Sequence, residues 1–165
     1  MTRPTLTMCH PNAKGTGSAI RLELHPAHDD TAGSIVATLA TQLTIDDRLG
    51  VYPRFDWDGA ITVNLDFTHI CKMLQVFRGE CESIEDGRGL FHRSPSGTTK
   101  IMLRHLVEPI YGYMLEVYVY RNTSGSEDST VRIFLSPHEA LGLATAIESS
   151  MGVICFGIPM VIPHV

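Results

Sequence analysis

The chain lacks the common signatures of covalent and nucleotide chemistry. It contains no GxSxG, no P-loop, no HExxH and no Rossmann fingerprint. The fragment Gly87-Arg-Gly89 lies in a connection and does not open a phosphate-binding helix. Its four cysteines form no CxxC pair, and Cys71 reads as a reduced core thiol. That usage suits a reducing, cytoplasmic-type compartment. No apolar run approaches the roughly 20 residues that span a bilayer, so no membrane association is expected. Residues 1–17 are polar and rich in Pro and Gly, without a signal-type apolar stretch, and read as a flexible tail. Positive charge is scarce: 13 Lys and Arg stand against 18 Asp and Glu, a net charge of −5 that excludes a broadly basic nucleic-acid coat. The acids cluster in connections: Asp29 and Asp30, Asp46 and Asp47, Asp56 and Asp58, then Glu80, Glu82, Glu85 and Asp86.

What the chain does contain is an internal repeat. Residues 61–80 and 131–150 each begin with a five-residue alternating strand, pass a helix cap (Asp66 or Ser136) and continue as a helix of about four turns. Several alternating segments precede each copy. The unit reads β-β-β-β-α and recurs after about 70 residues.

In the first copy, Ile20, Leu22 and Leu24 mark one strand and Ile35, Ala37 and Leu39 a second. Residues 51–57 read as a third, an edge strand because of Pro53. Asp58-Gly59 signals a hairpin, and Ile61, Val63 and Leu65 point inward from a fourth strand. The first helix, expected at 66–78, places Phe67, Ile70, Cys71, Leu74 and Phe77 on one stripe.

In the second copy the strands are expected at 90–93, 99–107, 113–120 and 131–135. Ser136-Pro-His-Glu139 is a capping box with Pro at the first helical position. The second helix, expected at 137–150, carries Leu141, Ala144, Ile147 and Met151 as its stripe. The expected organisation is a flexible tail at 1–18, one domain at 19–151 made of repeats 19–80 and 89–151, and an apolar tail at 152–165 that must be covered.

Two β-β-β-β-α units in tandem resemble the Whirly fold, which is related to the positive-cofactor-four type of single-stranded DNA-binding regulators. The order also resembles the kinetoplastid mitochondrial guide-RNA-binding proteins. The resemblance covers roughly residues 19–151 and rests on the repeat of 61–80 against 131–150. The Lys-Gly-Lys-Ala-type motif of plant Whirly proteins is absent from residues 34–42, which hold no lysine. The resemblance implies an α+β protein with two antiparallel four-stranded sheets packed across each other. It also implies oligomer assembly through the helices and single-stranded DNA or RNA lying along the sheets. The apolar helix stripes and the tail at 152–165 independently predict a homo-dimer or tetramer.

The residues themselves point to one face. If Ile101, Leu103, Leu115, Val117, Ile133 and Leu135 face inward, the opposite face shows Arg93, Lys100, Met102, Arg104, Tyr118, Tyr120, Arg132 and Phe134. Cations between rings are what single strands require, phosphate neutralisation beside base stacking. Arg93, Lys100, Arg104, Tyr118, Tyr120, Arg132 and Phe134 are therefore the candidate nucleic-acid-binding residues. The plainer reading is an ordinary surface or an oligomer contact, since Tyr and Phe are good strand formers.

The first sheet offers Arg21, Glu23, His25, Thr38, Gln42, Thr62 and Asn64, polar but scarcely basic. Trp57, the only tryptophan, reads as packing or as a base-stacking ring. The eight histidines supply no ligand set beyond the weak pair His25 and His28, so no metal and no cofactor is expected. Asp56 and Asp58 read as turn residues. The expected function is single-stranded nucleic-acid binding, with a link to transcription. The alternative is a non-enzymatic oligomeric interaction protein that keeps the fold without that binding.

Overall fold

Alternating apolar residues build two four-stranded antiparallel sheets in the computed structural model, which describes residues 3–44, 52–95, 97–122 and 127–157. The first sheet runs β1 (Thr5–His10), β2 (Ser18–His25), β3 (Ser34–Thr41) and β4 (Ile61–Leu65) in spatial order. The second runs β5 (Leu90–Ser94), β6 (Gly97–Leu106), β7 (Gly112–Arg121) and β8 (Ser129–Leu135). Helix α1 (Phe67–Phe77) follows β4, and α2 (Pro137–Phe156) follows β8.

The duplication predicted from the sequence is thus present as a fold of two antiparallel sheets and two helices. Asp66 accepts the amide of His69 at 2.9 Å, and the carboxylate of Glu139 accepts the amide of Ser136 at 2.9 Å. Both copies therefore start their helix on the same reciprocal cap.

The core lies between the inner faces of the sheets, where β2 and β3 meet β8. Ile20, Leu39, Ile101, Leu103, Ile133 and Leu135 are fully buried there, joined by Ile70 and Met73 of α1. Each such side chain contributes about 1.5–3 kcal/mol on burial. Helix α2 ties the copies together. At its start, His10 of β1 meets Glu139 at 2.7 Å. At its end, the amides of Ala27 and Gly33 donate to the carbonyls of Val153 and Ile154 at 3.1 Å each, satisfying acceptors that a helix end leaves open.

Three expectations need correction. The sequence reading places 1–18 in a flexible tail, but Thr5–His10 is a paired strand, in register from Thr5 against Glu23 to His10 against Ser18. Its alternation is short and flanked by Pro4 and Pro11, so it reads as loop until β2 supplies a partner. With β1 present, the sheet needs no strand at 51–57. Residues 52–57 instead form a strap, held by Leu43 N–H to the Arg54 carbonyl at 2.8 Å and Asp56 N–H to the Thr41 carbonyl at 2.9 Å. Residue 51 lies outside the described residues.

The last correction concerns the helices. α2 does not stop at 150 but runs on to Phe156 and ends at Gly157, whose φ of +75° suits a glycine. The rest of the expected apolar tail, 158–165, lies outside the described residues. The stripes hold in part: α1 buries Ile70 and Leu74 as expected and packs Phe77 on the core, but it also buries Met73 and Val76 and leaves Phe67 exposed. α2 buries Ala140, Leu143, Ile147 and Ile154 and leaves Leu141 70% exposed. α2 is apolar on more than one side, so periodicity alone does not choose its inner face. By length and composition α2 would suffice to cross a membrane, but its buried side packs on α1, β2, β7 and β8.

His69 couples the first cap to pH. Burial pushes its imidazole pKa below the usual 6.5, aided by His92 and Lys72 and opposed by Asp66. The folded state therefore holds this ring neutral where the unfolded chain begins to protonate it. The stability it contributes is complete above pH 6.5 and is lost as the pH falls toward the depressed folded value. His69→Gln, which keeps a group able to accept from the Asp66 amide, should lose less stability than the wild type between pH 7.5 and pH 5, values that bracket roughly the ordinary histidine pKa. Urea denaturation at both pH values measures this.

Candidate nucleic-acid interface

The register of the second sheet decides what its outer face carries. Arg93 pairs with Thr98 and Thr98 with Tyr120. Phe91 pairs with Lys100, Lys100 with Tyr118, and Tyr118 with Thr130. Met102, Glu116 and Arg132 form the next row, then Arg104, Met114 and Phe134. Successive rows are about 6.6–6.8 Å apart, two residues along a strand. All seven predicted residues stand on this one face, because the intervening Ile101, Leu103, Leu115, Val117, Ile133 and Leu135 are buried on the other.

Rings and cations alternate across it. The Tyr118 and Tyr120 rings are parallel within 7°, with centroids 6.4 Å apart. Lys100 Nζ lies 5.7 Å from the centroid of Phe91, a ring whose place on this face the sequence reading omits. The backbone makes room for that row. Gly89 has φ +82°, and a Cβ there would come within 2.9 Å of Lys100 Cε and 2.7 Å of the Ile101 carbonyl oxygen. Only glycine serves at this position.

Sequence reasoning misses the pairing of the central acid. The Glu116 side chain is only 3% exposed, yet it belongs to the outer face. Its two oxygens accept from Arg104 Nη2 at 2.6 Å and from Arg132 Nε at 2.7 Å. The carboxylate cancels one of the two guanidinium charges and fixes where both point. Arg104 and Arg132 remain about half exposed, so the cluster presents one net positive charge from two oriented donors. Arg93 and Lys100 form no ion pair among the described residues and complete a locally basic face on an acidic chain.

The first sheet differs. Its outer face carries Glu23, held below the usual carboxylate range chiefly by its hydrogen bond to Arg3 and also by His25. Thr38 and Thr62 meet across β3 and β4 at 3.2 Å. Ala19 and Ala40 share the outward parity of Arg21 and Thr38, yet both are fully buried. The 52–57 strap lies against this end, with Arg21 4.2 Å from the Trp57 ring centroid. Among the described residues, no three of His, Cys, Asp and Glu come together as a metal site.

No family model matches the chain, and no curated protein sequence matches it. Solved structures do. WHY3 from Arabidopsis thaliana superposes with a TM-score of 0.73 at 15% identity, covering 93% of this chain and 89% of that one. The plant transcriptional regulator PBF-2 gives 0.71 at 16% identity, covering 93% and 83%. A guide-RNA-binding protein complex bound to a guide RNA gives 0.62 at 17%, covering 91% and 90%. The fold is Whirly-like, as the order of elements predicts.

Proposed function

We propose that the chain binds single-stranded nucleic acid along the outer face of its second sheet. One observation carries the reading: Arg93, Lys100, Arg104 and Arg132 share an open sheet face with Phe91, Tyr118, Tyr120 and Phe134 in adjacent rows. Rings offer π-faces to unpaired bases, and the cations between them offer charge to phosphates. A duplex hides its base faces, so this arrangement favours single strands. The likeness to structures described as a guide-RNA-binding complex and a plant transcriptional regulator supports this reading and a role linked to transcription. The face is built for binding, and the proposal assigns it no catalysis.

Labelled single- and double-stranded oligonucleotides, titrated at two salt concentrations, test the proposal. Neutralising three or four phosphates gives a slope of log K against log salt of roughly −2 to −3, about 0.7 per phosphate for single strands. A preference for single strands with that slope is expected. Equal affinity for duplex, or no binding at low salt, overturns the proposal.

A second reading draws on a separate observation. Leu141 is 70% exposed on α2 and Phe156 89%, while Phe67, Ile110 and Tyr111 are also uncovered. A groove between the helices is lined by Phe77, Tyr111, Leu141 and Ala144. We propose that this face is covered in a homo-dimer or tetramer, which either accompanies nucleic-acid binding or replaces it. Light scattering at micromolar concentration should give a multiple of the 18.2 kDa chain mass. In the same measurement, Leu141→Glu should shift the population toward monomer.

A further inference from the structure

The strap at 52–57 builds a second cluster of rings and cations, remote from the face just described. It crosses the outer side of β1 and β2 and leaves an open groove of about 610 Å³ lined by Pro11, Arg21, Tyr52, Arg54, Phe55 and Trp57. That volume falls within the roughly 300–1,000 Å³ of small-ligand sites. The strap is pinned by backbone bonds to Thr41 and Leu43, so the groove is formed without a partner.

Its lining combines aromatic rings with cations. Phe55 and Trp57 stand 6.4 Å apart and tilted by 53°, and Tyr52, at 86% exposure, is an uncovered ring beside them. Arg21 lies over one face of the Trp57 ring, 4.2 Å from its centroid, which fixes the indole and adds a cation to the cluster. Arg54 is exposed, and neither arginine forms an ion pair among the described residues. The nearest acid of the strap, Asp56, accepts the amide of Gly59 at 2.9 Å and is engaged in the turn. Three rings and two guanidiniums around one opening match a planar base with its phosphate.

We propose that this groove is a second single-strand contact, independent of the second sheet. The choice of ligand rests on the proposed function; the existence of a separate site does not. The sheets meet through their inner faces, so their outer faces lie on opposite sides of the molecule. One strand lying flat on the second sheet does not reach the groove. A single chain then engages two strands, or two distant segments of one.

Trp57 is the only tryptophan in the chain, so its emission reports on the groove alone. The full chain is titrated with short oligothymidylate, following Trp57 emission and the anisotropy of an end label. Saturable quenching and two strands bound per chain are expected. A Tyr118→Ala, Tyr120→Ala variant should keep the quenching and bind one strand. A Tyr52→Ala, Arg54→Ala variant, altered only at exposed side chains, should weaken the quenching titration about ten-fold and also bind one strand. Oligothymidylate that saturates at one strand per chain without changing Trp57 emission overturns the groove and leaves the sheet reading intact. Quenching without any effect of the Tyr118 and Tyr120 substitutions on binding overturns the sheet reading and leaves the groove. Thymidine monophosphate quenching as strongly as the same concentration of nucleotides in the oligomer makes free nucleotide the ligand and overturns the strand contact.

Discussion

Replacing both Arg104 and Arg132 by Ala should lower the unfolding free energy by about 3 kcal/mol, because it strands the buried carboxylate of Glu116 without a partner. The effect is structural before it is functional. The Glu116 side chain, at 3% exposure, has two charge-assisted hydrogen bonds, and losing both leaves a buried polar group unpaired. Adding Glu116→Met to the double variant removes the stranded charge and should restore most of the loss. Urea denaturation of the double and triple variants measures both numbers. A double variant within about 1 kcal/mol of the wild type, the range of exposed pairs, would show that the pairs are worth no more than surface ion pairs.

The single change Glu116→Gln acts in the opposite sense on binding. It leaves two half-exposed guanidiniums in solvent and adds one net positive charge to the face. Single-strand affinity should rise at low salt, and the salt slope should steepen by about 0.7.

The second large effect is on stacking. Tyr118→Ala should weaken single-strand binding by about 1–3 kcal/mol, roughly ten-fold or more, while the salt slope stays put. Tyr118 stands on the outer face beside Lys100 and parallel to Tyr120, and its removal opens no core cavity. Fluorescence anisotropy with a labelled oligonucleotide gives the affinity, and thermal unfolding confirms the fold. Loss of binding together with a change in slope would mean that Tyr118 positions Lys100 and does not stack on a base.

These two effects mark what was and was not legible in the sequence. The second copy could be read almost element by element, since β6, β7 and β8 alternate without interruption and Ser136 announces α2. Pleat parity then placed Arg93, Lys100, Arg104, Tyr118, Tyr120, Arg132 and Phe134 on one face, where they stand. The pairing of Glu116 with two arginines was not legible. It depends on cross-strand register, which sets Glu116 opposite Arg132 and one row from Arg104.

The first copy was harder for physical reasons. β1 is short and bounded by prolines, so only pairing with β2 declares it a strand. Residues 52–57 have the composition of a strand, yet they serve as a strap because β1 already completes the sheet. The helix stripes were legible only in part for a similar reason: Ile70, Leu74 and Ile147 face the core as expected, while Phe67 and Leu141 do not. Leu141 and Ile147 are equally apolar, and only the packing of α2 across both sheets decides which one faces inward.

The measurement that bears most directly on the second-sheet face is a backbone amide shift map of the isotope-labelled chain, with and without saturating single-stranded oligonucleotide. The account predicts perturbations on the rows of the outer face, at 91–93, 98–104, 116–120 and 130–134, which weaken as salt is raised. Saturable binding that leaves all these amides unmoved, with shifts gathered on α2 instead, would contradict it.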